Sequence, residues 1–348
     1  MAIKKFTVSR DENIYEAWPD VTLVNDKKLI AVFTECEHHL DRNNSRIVLV
    51  ESNDRGETWS EKRALTEKSK DAVDFFNNAR IGKFPDGSLY VLCDKIHNVE
   101  KRSSVLHLWR SYDEGKTWSE PTTLPLNGIV PDKITFLKSG RMIVSAHLNG
   151  KNGFLEQYMI YSDDEGKTWS DQITVAAKDG LNLCEVSMLE YNGAIVAFLR
   201  ENSRKGHDIL KVISYDEGLT WSEIYSTPLD CGHRPVSGFL RDGRVMLTYR
   251  YIPTATQNTF AAFQPPEALL ETDRAKCRVR IMPLDYDRNP APDTGYTGWV
   301  QFDDGEIYVV NYIKDDSDKG QIRGYKFSLD DIELPVTTTA IKKRILRK

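Results

Sequence analysis

Four copies of one eight-residue phrase limit what this chain can fold into. They occupy residues 52–59 (SNDRGETW), 111–118 (SYDEGKTW), 162–169 (SDDEGKTW) and 214–221 (SYDEGLTW). The shared pattern is S-x-D-x-G-x-T-W, and its Asp residues lie 59, 51 and 52 positions apart. A period of this size marks an array of similar supersecondary units, such as a propeller or a solenoid.

The intervals between the phrases carry a second repeat, an apolar run, a tight turn and another apolar run. Residues 21–33, 79–93, 133–146, 186–199, 236–249 and 298–311 all follow it, with ND, DG, SG, NG, DG and DG at the turns. Such dipeptides favour hairpins because Gly and Asn take positive φ at low cost. Val, Ile, Leu, Tyr and Phe dominate the flanks, as strands prefer. In four units a third strand precedes the phrase, and a fourth is expected after each Trp. Six hairpins with four strands per unit predict an all-β, six-bladed propeller with four-stranded antiparallel blades. The blades fall at roughly 15–70, 71–126, 127–178, 179–229, 230–290 and 291–335, in one domain over 1–348 whose termini close the ring. The last two blades lack the phrase. The stretch 251–290 reads as an outer hairpin or as an excursion over one face.

The phrase is structural in this reading. Its Asp accepts turn N–H groups, its Gly permits φ > 0, its Thr adds a local bond, and its Trp packs between blades. It lacks the dense oxygen spacing of a calcium loop. The net charge of −5 gives no basis for nucleic-acid binding. No run approaches 18 apolar residues, so no membrane span is expected. The first ten residues carry no apolar signal segment, which predicts a cytoplasmic protein while leaving secretion open. Cys36, Cys93, Cys184, Cys231 and Cys277 are odd in number and scattered, and read as reduced thiols. The basic run at 341–348 reads as a solvated tail or an edge strand.

In a propeller, polar residues at the channel ends of the inner strands line a funnel. Aligning the hairpins on their turns gives two near-axial sets. Asp20, Arg80, Lys133, Glu185, Arg234 and Tyr296 enter the hairpins. Thr34 with Glu35, Asp94, His147, Arg200, Arg250 and Tyr312 leave them. So many converging charges point to a wet polar pocket. His38, His39, His147 and His233 lie near the same rim and suit acid/base work or sugar contacts. A metal held by histidines with Asp94 or Glu35 is a weaker reading, and neither metal nor cofactor is expected.

The S-x-D-x-G-x-T-W phrases match the Asp-box of the sialidase (neuraminidase) superfamily of six-bladed propellers, which this chain resembles over roughly residues 15–315. The resemblance implies a glycoside hydrolase acting on a terminal acidic sugar. Tyr296 would be the nucleophile and Glu185 the base that activates it, an exception among glycosidases, which mostly use two carboxylates. Arg200 and Arg250, with Arg234 second to Arg250, would hold a substrate carboxylate. The leaving-group acid would come from the first-blade loop, with Asp41 first and Asp20 and Glu35 as rivals. Arg80, His147, His233 and Asp94 complete the substrate-binding candidates. Two departures stand out. Where the family has an Arg-Ile-Pro motif, this chain reads Glu16-Ala17-Trp18-Pro19-Asp20, and the last blade lacks the Glu that often partners that Arg. Arg42 or Arg80 would have to substitute. The competing readings are a lyase or hydrolase on uronic-acid glycans using His147 or His233, and a non-catalytic carbohydrate-binding propeller.

Overall fold

The structure, a computed structural model, describes residues 3–71, 73–98 and 103–332. It is built from antiparallel strands. The helical elements among the described residues are two four-residue turns, at Pro266–Leu269 and Leu329–Ile332. The basic run at 341–348 lies outside the described residues.

The strands form six sheets. The first blade runs from the axis outward through Tyr15–Leu23, Leu29–Cys36, Arg46–Ser52 and Arg63–Ala64. In the second the inner strand is broken into Phe75–Phe76 and Arg80–Lys83, both paired to Leu89–Asn98. The third, fourth and fifth blades begin at Thr135–Phe136, Leu183–Tyr191 and Gly232–Phe239. The stretch 251–290 resolves into the two outer strands of the fifth blade, Asn258–Gln264 and Arg280–Tyr286, so the outer-hairpin alternative holds. The sixth blade takes Thr294–Gln301, Ile307–Ile313 and Gln321–Phe327 from the C-terminal part of the chain. Its outermost strand, Lys4–Ser9, comes from the N-terminal part. That pairing closes the ring and covers what would otherwise be an exposed sheet edge.

The apolar faces of adjacent blades bury one another. Six hydrophobic clusters form, one at each blade–blade interface. The phrase tryptophans Trp59, Trp118, Trp169 and Trp221 pack against four of them. The phrase itself turns the chain between the third and fourth strands of the first four blades. In the first copy, Asp54 Oδ1 accepts the Thr58 N–H at 2.9 Å and Oδ2 accepts the Thr58 hydroxyl at 2.5 Å. Ser52 Oγ accepts the Gly56 N–H at 2.8 Å. The four glycines have φ between 83° and 91°, a region in which other residues are strained.

The inner strands share a second device. In the first, fourth, fifth and sixth blades the pairing register slips at the channel end, across Ala17/Asp20, Cys184/Ser187, His233/Val236 and Thr294/Thr297. Each slip contains a residue with positive φ: Trp18 (55°), Glu185 (50°), Arg234 (51°) and Gly295 (100°). Bulges of this kind bend a strand and re-aim its side chains.

Candidate functional site

The bulge at Gly295 presents Tyr296. Asn311 holds it there: its Oδ1 accepts the Gly295 N–H at 2.9 Å, and its Nδ2 donates to the Thr259 and Thr294 hydroxyls, each at 2.9 Å. A Cβ on Gly295 would lie 2.4 Å from Cβ of Arg250, so only glycine allows this approach. The bulge at Glu185 aims its carboxylate at the same point. The Tyr296 hydroxyl donates a short hydrogen bond to Glu185 Oε1. Arg200 Nη1 donates to both Glu185 oxygens at 2.8 Å and to the Tyr296 hydroxyl at 3.2 Å. All three side chains are buried.

Electrostatics assigns the protons within this triad. Burial alone would raise the Glu185 pKa, but the charges of Arg200 and Arg234 overcome it and hold the carboxylate well below the usual range. Burial and the Glu185 charge push the Tyr296 phenol up. The resting state is an ionised Glu185 accepting the proton of a neutral Tyr296, as a base-activated nucleophile requires.

Arg250 lies beside the same ring, its guanidinium carbon 4.9 Å from the Tyr296 centroid. It donates to Gln257 Oε1 at 3.1 Å and stands 3.6 Å from Asp293. Asp293 is a residue that the hairpin alignment misses. It accepts the hydroxyls of Tyr15 and Tyr312 and pairs with His39 Nδ1 from the first-blade loop. Despite its burial, His39 and Arg250 keep its pKa low. This cluster joins the last blade to the wall formed by the first-blade strand Tyr15–Leu23. Trp18 fills that wall, with His39 against it at 5.3 Å and the Arg42 guanidinium 3.7 Å over its ring. Arg42 also reaches Cys36 Sγ and, among the described residues, pairs with no carboxylate.

The remaining candidates divide by position. Asp94 and His147 lie on the opposite wall, in the second and third blades. Asp94 is buried, its Oδ2 accepts from Asn77 Nδ2 at 3.3 Å, and burial raises its pKa to about 7. Burial lowers His147 to about 4. His147 lines a cavity of about 220 Å³ with Phe75, Ile96, Ile129, Leu148 and Leu155. His233 flanks Arg200 and Arg250, and burial followed by those two charges lowers it to about 2. Arg80, Arg234 and Asp20 form the buried floor. Asp20 accepts the Ile81 N–H at 3.0 Å and pairs with Lys133 at 3.1 Å. Glu35 stands apart, bonded to Lys62 and Arg46 in a buried ion network shared with Glu16. Asp41 stays on its loop and accepts the Asn43 N–H at 3.0 Å. Trp299 bonds the Val236 carbonyl and packs on Gly238 at a blade interface, so it is part of the core. The inner-strand alignment also picks Lys133, whereas the third-blade residue buried in the floor is Asp132. No His/Cys/Asp/Glu cluster able to hold a metal exists among the described residues. No helix there is long and apolar enough to cross a membrane.

Comparison with known proteins agrees with this architecture. The profile of the BNR repeat-like domain family matches residues 67–285. A sialidase of Bacteroides fragilis (strain YCH46) is 25% identical over 206 residues, which is 56% of this chain and 37% of that protein. A sialidase of Paraclostridium sordellii is 24% identical over 184 residues, 42% of this chain and 46% of that protein. The matched regions thus cover less than half the length of these relatives. Among solved structures, a Dyadobacter fermentans protein of unknown function superimposes with a TM-score of 0.78 at 22% identity, covering 94% of this chain and 98% of that one. Trypanosoma rangeli sialidase in complex with sialic acid gives 0.67 at 15% identity, covering 100% and 61%. At these identities the superpositions establish the fold.

Proposed function

The chain belongs to the BNR repeat-like domain family, and we propose that it is a sialidase-like exo-glycosidase removing a terminal acidic sugar with retention of configuration. The observation that carries this reading is the buried triad of Tyr296, Glu185 and Arg200. In the first step the Tyr296 oxygen attacks the anomeric carbon while Glu185 takes the phenolic proton. The bond to the leaving oxygen breaks, and an acid protonates that oxygen. Water then displaces the tyrosyl group, giving a proton to the conjugate base of the acid that protonated the leaving oxygen, and Glu185 returns the phenolic proton to Tyr296. A neutral phenol suits a carbon that bears a carboxylate, since an anionic nucleophile would be repelled.

Arg200 and Arg250 would bind that carboxylate, with Arg42 reaching in from its loop in place of the missing first arginine. The opposite wall, with Asp94, His147 and the apolar cavity, would receive hydroxyls and an apolar substituent. The leaving-group acid belongs to the 37–44 loop. Asp41 holds that place by resemblance, and His39, fixed through Nδ1 by Asp293, is the rival that the geometry adds.

Tyr296→Phe tests the reading on a methylumbelliferyl α-glycoside of sialic acid. Turnover should fall by about 10³-fold or more, since a nucleophile acts as a unit with its base. Unchanged turnover removes the nucleophile, and saturable binding without turnover in the wild type favours a carbohydrate-binding propeller.

A further inference from the structure

Beneath the triad lie two buried guanidinium groups that form no hydrogen bond with Tyr296 or Glu185, although the Arg234 charge helps to hold Glu185 ionised. Arg80 comes from the second blade and Arg234 from the fifth, which face each other across a six-bladed ring. Their exposures are 1% and 0%. Arg80 Nη1 donates to the carbonyls of Pro19 at 3.4 Å and Thr297 at 3.2 Å. Arg234 Nη2 donates to the Pro131 carbonyl at 3.2 Å. Four buried nitrogens remain without an acceptor: Nε and Nη2 of Arg80, and Nε and Nη1 of Arg234. Neither residue makes a direct ion pair among the described residues.

Buried donors on a charged group are rarely left unpaired, because each forfeits its hydration without replacement. The nearby carboxylates do not supply the need. Asp20 is engaged by the N–H groups of Val21 and Ile81 and by Lys133. Asp132 accepts the Met188 N–H at 3.1 Å. Counting Lys133, the floor holds three cations against Asp20 and Asp132, and Glu185, which also feels Arg234, is already paired with Arg200, so one positive charge is left unbalanced. The surplus acts on its surroundings: burial and then the Arg234 charge lower the Arg80 pKa to about 10.

We propose that the channel floor beneath Tyr296 binds a monovalent inorganic anion, a halide such as chloride, between the guanidinium groups of Arg80 and Arg234. All four orphan groups are donors, so the occupant must be an acceptor. A water molecule there would still need acceptors for its own two protons and would leave the positive charge unbalanced. An anion needs neither, and a doubly charged phosphate or sulfate would overshoot the charge. The anion would tie opposite blades together and fix Arg234, whose guanidinium carbon is 5.7 Å from the Tyr296 ring centroid. This site stands independently of the glycosidase reading.

The test uses the full chain in chloride or in gluconate, an anion too bulky for the floor, at constant ionic strength. The Tm should rise saturably with chloride alone. Crystals soaked in bromide should show an anomalous peak between Arg80 and Arg234. Arg80→Lys keeps the charge but loses the forked donors, and should weaken the chloride midpoint by about tenfold. Equal melting in both salts with no bromide peak would mean water only, and a peak confined to other places would equally overturn the proposal. The bromide experiment needs no variant, so it decides the question even if Arg80→Lys fails to fold.

Discussion

The outer turns and the channel ends of the inner strands both repeat around the ring, yet they repeat different things. At the outer turns the residues recur: Ser, Asp, Gly, Thr and Trp in four copies. Each Asp there is satisfied within its own turn, and the Thr117 hydroxyl and N–H hold Asp113 down to about 2. At the channel ends the backbone recurs while the residues change. The same bulge presents Trp18, Glu185 and Arg234, and in the last blade Tyr296 beside Gly295. Those side chains are buried, and their contacts include ones across blades, from Glu185 to Tyr296 and from Arg234 to the Pro131 carbonyl. A repeat of identical residues builds the scaffold, and a repeated backbone carrying different residues builds the site.

That contrast breaks if a channel-end residue proves merely structural. Glu185→Gln keeps an acceptor for Arg200 but cannot take the phenolic proton. Turnover should fall by about 10²–10⁴-fold, measured well below the Tm, as removal of a general base does.

Asp94 gives an intermediate test, in stability rather than rate. Its folded carboxyl stays neutral up to about 7, while the unfolded chain ionises near ~4. The native state therefore holds the extra proton between these values, and stability falls as pH rises through that window. Asp94→Asn should flatten this slope in denaturation curves at pH 4 to 7, and an unchanged slope would show that Asp94 does not titrate there.

The smallest effect belongs to the outer turns. Asp54→Ala removes the local bonds to Thr58, Glu57 and Ser52 and should lower the Tm by about 2–4 °C with turnover unchanged. A loss of turnover greater than that of Glu185→Gln would invert the comparison.

The same contrast explains what can be read in the chain before its fold. The blade count is legible because the Asp-box and the hairpin turns are local signals, each held in a few consecutive residues. Tyr296, Glu185 and Arg200 are legible as well, since each lies a short, countable distance from a turn. Irregular inner strands spoil finer counting. In the third blade the inner strand shrinks to Thr135–Phe136, so a count from its turn singles out Lys133 while the adjacent Asp132 is buried in the floor, and Glu35 leaves the first hairpin beside Thr34 yet is held in an ion network away from the axis. Asp293 is hidden for another reason. Its partners Tyr15, His39 and Tyr312 come from the first and last blades, which only ring closure brings together. The first-blade loop that carries His39, Asp41 and Arg42 has no repeat to align against.

The proposed chemistry rests on a covalent bond between Tyr296 and the sugar. Incubation with a fluorinated acidic-sugar glycosyl fluoride, whose electron-poor ring slows release of the intermediate, followed by digestion and mass spectrometry, looks for that bond directly. One sugar adduct is expected on the peptide containing Tyr296, abolished in Tyr296→Phe. Fluoride release with no adduct on that peptide, or an adduct on another residue, would show that Tyr296 is not the nucleophile.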